Sequence, residues 1–212
     1  GLRCIGIGTK DEVLIIGFAA INGEPNAFYE KSDLEKIKEL LRQILIDESV
    51  LKIGHNAGYF DRTVVEQHLG VTPAPLLDTL LLHKLAASEF PHRLGFVASL
   101  LLDVPAWKAD HTGVTAATDQ ELHTYCSTDV SVTARIVAPL RMTAAGRQQL
   151  HLYPMDAKIQ DLCAGMHRLG IRVDEGKRFE HEQEQTKLAS KWLGVIHRSR
   201  PGINPNSNAQ LR

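Results

Sequence analysis

The chain has 212 residues, 43% of them hydrophobic and 23% charged, with 25 Asp+Glu against 24 Lys+Arg. That balance excludes disordered and collagen-like chains, and no apolar run approaches the ~20 residues of a membrane-spanning helix. Cys4, Cys126 and Cys163 form no C-x-x-C pair, which speaks against a disulfide framework or a zinc site and for a reducing intracellular compartment.

In chain order, Leu2 to Gly8 and Val13 to Phe18 read as the two strands of a hairpin around the polar turn Thr9-Lys10-Asp11-Glu12. Ser32 followed by Glu35 reads as a capping box, with Leu34, Ile37, Leu40, Leu41 and Ile44 at helical spacing behind it. Val50 to Ile53 is a third strand, Gly54-His55-Asn56 a turn, and the next helix carries Val64, Val65 and Leu69 to a stop at Gly70. Asp78 caps a helix through Leu85, and a further apolar helix spans Arg93 to Leu102. A polar loop from Trp107 to Ala117 precedes a helix opened by the capping box Thr118-x-x-Glu121, expected to run to about Val137 with Pro139 helping to end it. From Tyr153 the pattern becomes two long helices, 154–169 and 175–197. The charge changes there too: residues 1–150 carry 18 Asp+Glu against 14 Lys+Arg, and residues 151–212 carry 7 against 10.

Two carboxylates come with a local constellation. Asn56-Ala57-Gly58-Tyr59-Phe60-Asp61 lies where a strand passes through a turn into a helix, and the carboxyl ends of strands favour ligands in α/β proteins. Tyr125 and Asp129 are four apart on one helix, so phenol and carboxylate share a face. Hard divalent cations such as Mg²⁺ or Mn²⁺ take such oxygen ligands. Ordinary readings stand beside these: Asp61 on the helix dipole, Tyr125 as a core aromatic, Asp129 as a solvated helix residue, Asp78 as an N-cap and His55 as a turn histidine. His83, His92, His111 and His123 lack metal-ligand spacing and read as structural or exposed.

At Asn56-x-x-x-Phe60-Asp61 and Tyr125-x-x-x-Asp129 the chain resembles the 3′-5′ exonuclease domain of family A DNA polymerases, the DEDD type with tyrosine in its third motif. Lys52-Ile53-Gly54-His55-Asn56, Asp78-Thr79-Leu80, Pro91 to Phe96 and Tyr125 to Ile136 look like the phage-type members, in that order. Met166 to Asp174 and Ile203 to Leu211 are similar to the segments that begin the same enzymes' polymerase domain. The resemblance implies an RNase H-like α/β fold with a mixed sheet and flanking helices over residues 1–142, a linker at 143–152, and the first thumb helices of a polymerase at 153–212. It implies two divalent ions, Mg²⁺ or Mn²⁺, with Asp129 on the first and Asp61 on the second. Tyr125 would orient the attacking water, and Asn56 and Phe60 would support the second motif and the primer end.

The family's first motif, Asp-x-Glu on a central strand, is not found, and Asp11 and Glu12 in the hairpin turn do not replace it. The expectation is therefore an internal fragment of a cytoplasmic polymerase, with an unpaired strand edge and little activity alone. Its partners would be a single-stranded DNA 3′ end, a primer-template and the rest of the polymerase chain, with no membrane. A ribonuclease D-like exoribonuclease and a non-catalytic nucleic-acid-binding scaffold are the competing expectations.

Overall fold

A computed structural model describes residues 2–25, 28–108 and 118–207, in two compact units, Gly1–Arg168 and Leu169–Arg212. Most of the loop expected at 107–117, with His111, and the last residues of the Ile203–Leu211 segment lie outside the described residues. In the first unit, β1 (Cys4–Gly8) and β2 (Val13–Gly17) pair antiparallel in the expected hairpin. Thr9 closes its turn, the hydroxyl accepting from the N–H groups of Asp11 and Glu12.

The helix α1 (Lys31–Ile46) starts one residue before Ser32, so the expected capping box does not form. The carbonyl of Glu30 takes the first backbone donors, those of Asp33 and Leu34, and Glu35 pairs with Lys38 instead of reaching back. The next strand, β3 (Lys52–Gly54), is followed by α2 (Phe60–Leu69), which ends as expected at Gly70 with φ 71°. A strand the pattern did not announce, β4 (Leu76–Asp78), then pairs parallel with β3. It is only three residues long, too short for an alternation to register. Among the described residues the two pairs remain separate two-stranded sheets, so each strand keeps one edge without a strand partner.

Two apolar clusters fill this unit. Ile16, Phe18, Leu34, Leu41, Val65 and Leu69 join the hairpin to α1 and α2. The other joins α3 (Thr79–Ala86), α4 (Leu94–Leu101) and α5 (Asp119–Gly146) through residues such as Leu82, Val97 and Ile136. The last of these helices also packs on β1, β2 and β3, and so connects both halves.

Pro139 does not end α5, which continues to Gly146. Val132, Ile136, Leu140 and Ala144, each no more than 2% exposed, form one buried stripe running past the proline. Interior proline costs about 3 kcal/mol, and burial of Leu140 and its neighbours beyond it offsets that cost. The stretch expected as a linker, 143–152, is packed as well: after α5 comes a 3-10 turn, Leu150–Leu152, whose leucines lie against the same core.

In α6 (Tyr153–Leu169), the Tyr153 hydroxyl accepts from the backbone N–H of Asp78, Arg62 pairs with Asp161, and Arg168 pairs with Glu66. The second unit contains α7 (Glu175–Ser199), capped by Asp174 and laced by pairs of Arg178 with Glu175 and Glu182; none of its residues is buried. No helix among the described residues is long and apolar enough to cross a membrane.

Candidate active site

Asp61 owes its position to the turn between β3 and α2. Asn56 takes a left-handed φ of 62°, which Asn tolerates better than most non-glycine residues. Its carbonyl accepts from the N–H groups of Tyr59 and Phe60, starting α2 and placing Asp61 in the first helical turn. The turn is held by Asp78, 1% exposed. Its Oδ1 accepts from the N–H of Asn56 (2.8 Å) and of Leu80 (2.9 Å), its Oδ2 from the N–H of Gly58 (3.1 Å) and Nε2 of Gln160 (2.8 Å). Asp78 thus caps α3 as expected and also fixes the turn beside Asp61, a role no local pattern announces. A Cβ at Gly58 would stand 1.9 Å from Oε1 of Gln160, so any larger residue there would push the Gln160 amide from its place beside Asp78.

The third motif sits on the first half of α5, where Thr118 Oγ1 accepts from the N–H of Glu121 in the expected cap. Asp129 is gripped by two residues from the segment after α4: Trp107 Nε1–H donates to Oδ1 (2.7 Å), and Lys108 Nζ donates to Oδ2 (2.8 Å). The same ammonium donates to the Tyr125 hydroxyl (2.6 Å) and lies 4.6 Å from the centre of its ring. Tyr125 and Asp129 therefore do project together, joined by a cation the sequence reading did not single out. A lysine and a tryptophan in a polar loop carry no signal of their own. Only their separation from Asp129, 21 and 22 residues, closed by the fold, gives them meaning.

Asp61 and Asp129 are brought within electrostatic reach of each other. Desolvation first, then the charges of Asp78 and Asp129, push the Asp61 carboxyl above its ordinary range. Protein crowds the Asp61 carboxyl although the residue keeps an exposed surface. A cleft of about 470 Å³ opens beside Asp129, with Asn56, Arg93 and Lys108 among its polar walls and Leu80 and Leu94 among its apolar ones. Phe60, 62% exposed, projects from the start of α2.

His55, His83 and His92 are tied together by hydrogen bonds, and His55 and His92 also line the cleft. His55 Nδ1 bonds Thr79 Oγ1 (2.9 Å) and its Nε2 bonds the carbonyl of His92 (2.8 Å), while His83 and His92 share a hydrogen bond between their Nδ1 atoms (2.7 Å). Burial lowers the proton affinity of all three.

Two carboxylates whose charges act on each other are hard oxygen donors, and the added charge of a divalent cation would relieve their repulsion, so the donor chemistry fits such an ion. Among the described residues no group of three or more His, Cys, Asp or Glu is placed to hold a metal.

Comparison with known proteins supplies the family. No curated protein sequence matches the chain. Solved structures do, at identities that speak for the fold alone. An apo form of a nuclease shares 20% identity, with TM-score 0.61 over 79% of this chain and 76% of its own. Brucella melitensis NrnC with bound Mg²⁺ shares 22%, with TM-score 0.59 over 79% and 77%, and has also been solved bound to pGG. Escherichia coli RNase D, an exoribonuclease involved in structured RNA processing, shares 18%, with TM-score 0.51 over 80% of this chain and 40% of its own. The sequence profile of the 3′-5′ exonuclease family matches residues 4–143, the span that holds both motif carboxylates, the turn and the clasp on Asp129. With an RNase H-like α/β fold and that match over most of its length, this chain belongs to the 3′-5′ exonuclease family.

Proposed function

We propose that the chain removes nucleotides from the 3′ end of a single-stranded nucleic acid by divalent-ion-dependent hydrolysis. The observation that carries this reading is the pairing of the Tyr125 hydroxyl with the Asp129 carboxylate one helical turn along α5, both bonded by Lys108 beside an open cleft; the charge of Asp129 also reaches Asp61. Asp129 would hold a first ion and Asp61 a second. Two such ions, when bound, supply a nucleophilic water and stabilise the leaving oxygen. The Tyr125 hydroxyl orients that water. Asn56, in the cleft wall, and the exposed ring of Phe60 bear on the terminal nucleoside. Water oxygen joins phosphorus, the bond from phosphorus to the 3′ oxygen breaks, and a nucleoside 5′-monophosphate leaves a shortened strand with a new 3′ hydroxyl.

Two substrate readings have specific support. The structural neighbours, RNase D and pGG-bound NrnC, favour an exoribonuclease acting on RNA. The segments Met166 to Asp174 and Ile203 to Leu211 favour the proofreading exonuclease of a family A DNA polymerase, with residues 1–142 as the nuclease and 153–212 as the start of the polymerase. The comparisons weigh toward the first, and the second rests on sequence resemblance alone.

The test is direct. The full-length protein is given 5′-labelled RNA and DNA single strands of matched sequence with Mg²⁺, Mn²⁺ or chelator. Ladders shortening from the 3′ end, lost with chelator and in Asp129→Ala, are expected, and their preference for RNA or DNA chooses between the readings. Intact strands of both kinds would remove the nuclease reading.

A further inference from the structure

Lys108 is unused by the function just described, and its position is unusual. Its ammonium stands on the carboxylate oxygen of Asp129 and on the phenol oxygen of Tyr125, the two groups to which the third motif owes its chemistry. The pair is half-sheltered, each side chain 29% exposed, so water screens it only in part. Trp107 completes the grip by donating to the second oxygen of the same carboxylate. The two residues are adjacent in the chain.

We propose that Trp107 and Lys108 form a clasp that competes with a divalent cation for Asp129, so that an ion reaches the site by displacing Lys108. The inference rests on the reading of Asp129 as an ion ligand. Its physical basis is charge exclusion. A carboxylate oxygen that holds an ammonium in a charge-assisted hydrogen bond presents its lone pairs to that ammonium, and a dication brought to the same oxygen repels it at close range. One cation must yield. The ammonium can, because lysine is a point charge on a flexible four-carbon stem. While it stays, it also occupies the Tyr125 hydroxyl, so water orientation and ion binding are withheld together. Its departure releases both groups in one event. The positive charge also serves the fold: it compensates Asp129 in a region where Asp61 and Asp78 already repel.

The experiment measures ion binding without turnover. Mn²⁺ affinity is determined by electron paramagnetic resonance on the full-length protein, wild type, Lys108→Met, Lys108→Arg and Asp129→Ala. Met keeps the apolar stem and removes the charge. The expectation is roughly three- to tenfold tighter Mn²⁺ binding in Lys108→Met, the scale of removing one partly sheltered competing charge, and near wild-type binding in Lys108→Arg. Trp107 offers a second readout. The chain has two tryptophans, so Trp192→Phe leaves Trp107 as its sole indole in this span. Its emission should change over the Mg²⁺ concentrations at which the ion binds, and not in the Asp129→Ala background.

Unchanged or weaker Mn²⁺ binding in Lys108→Met, or a Trp107 signal indifferent to a bound ion, would overturn the clasp while leaving the nuclease reading intact. Absence of Mn²⁺ binding by the wild type, or equal binding after Asp129→Ala, would overturn both. Circular dichroism of each variant identifies misfolding. If Lys108→Met is misfolded, Lys108→Gln carries the same comparison.

Discussion

Asp61 and Asp129 are two carboxylates of one candidate site, held by opposite means. Asp61 is positioned from behind: its turn is fastened by backbone N–H groups to the buried Asp78, and its own charge is opposed by two neighbouring carboxylates. Asp129 is gripped from the front, by side chains that cover both its oxygens. A carboxylate fixed through its backbone bears the repulsion of its neighbours. One fixed through its oxygens is electrostatically relieved but must be released before it can serve as a ligand.

The largest effect expected of this contrast is at Asp129. In the full-length protein Asp129→Ala should lower 3′-end hydrolysis by roughly 10³-fold or more, the scale of removing a group that stabilises transition-state charge, and should weaken Mn²⁺ binding. Tyr125→Phe should lower single-turnover excision by about 10²-fold with Mn²⁺ binding retained, since only the orienting hydroxyl is lost. Unchanged excision would make Tyr125 a packing residue after all.

Next comes the support behind Asp61. Asp78→Asn turns one acceptor oxygen into a donor that faces existing donors, so thermal unfolding should report a loss of about 2 kcal/mol or more. No loss would mean that the turn is held by its own backbone. The smallest effect concerns Asp61 itself. Its carboxyl binds a proton more tightly folded than unfolded, so it subtracts stability as pH rises from the ordinary value of 3.8 through the raised folded one. Asp61→Asn removes that slope. With chelator at neutral pH its Tm should lie ~1–2 °C above wild type, although hydrolysis falls. A lower Tm would show the repulsion to be compensated elsewhere.

What was legible in the sequence followed local rules. Tyr125 and Asp129 share a face because helices repeat, and Asp61 was visible because a strand, a turn and a glycine-stopped helix surround it. What escaped notice depended on distance along the chain. Asp78 looks like an N-cap because only one of its four partners, Leu80, is close in sequence; Gln160 is 82 residues away. Trp107 and Lys108 look like loop residues until Asp129 is folded against them. Pro139 misled for a related reason: its local cost is certain, but the buried stripe from Val132 to Ala144 that outweighs it is a property of tertiary packing.

The hydrogen bond from Gln160 to Asp78, with the close approach of Gln160 to Gly58, bears on how this nuclease can be moved between architectures. The family match ends at residue 143, but a brace of its second motif lies beyond that point, on α6. A recombination event, natural or engineered, that cut there would transplant an intact third motif with a loosened second one. The heritable unit of this site is therefore longer than the family's signature, and α6 has to travel with it.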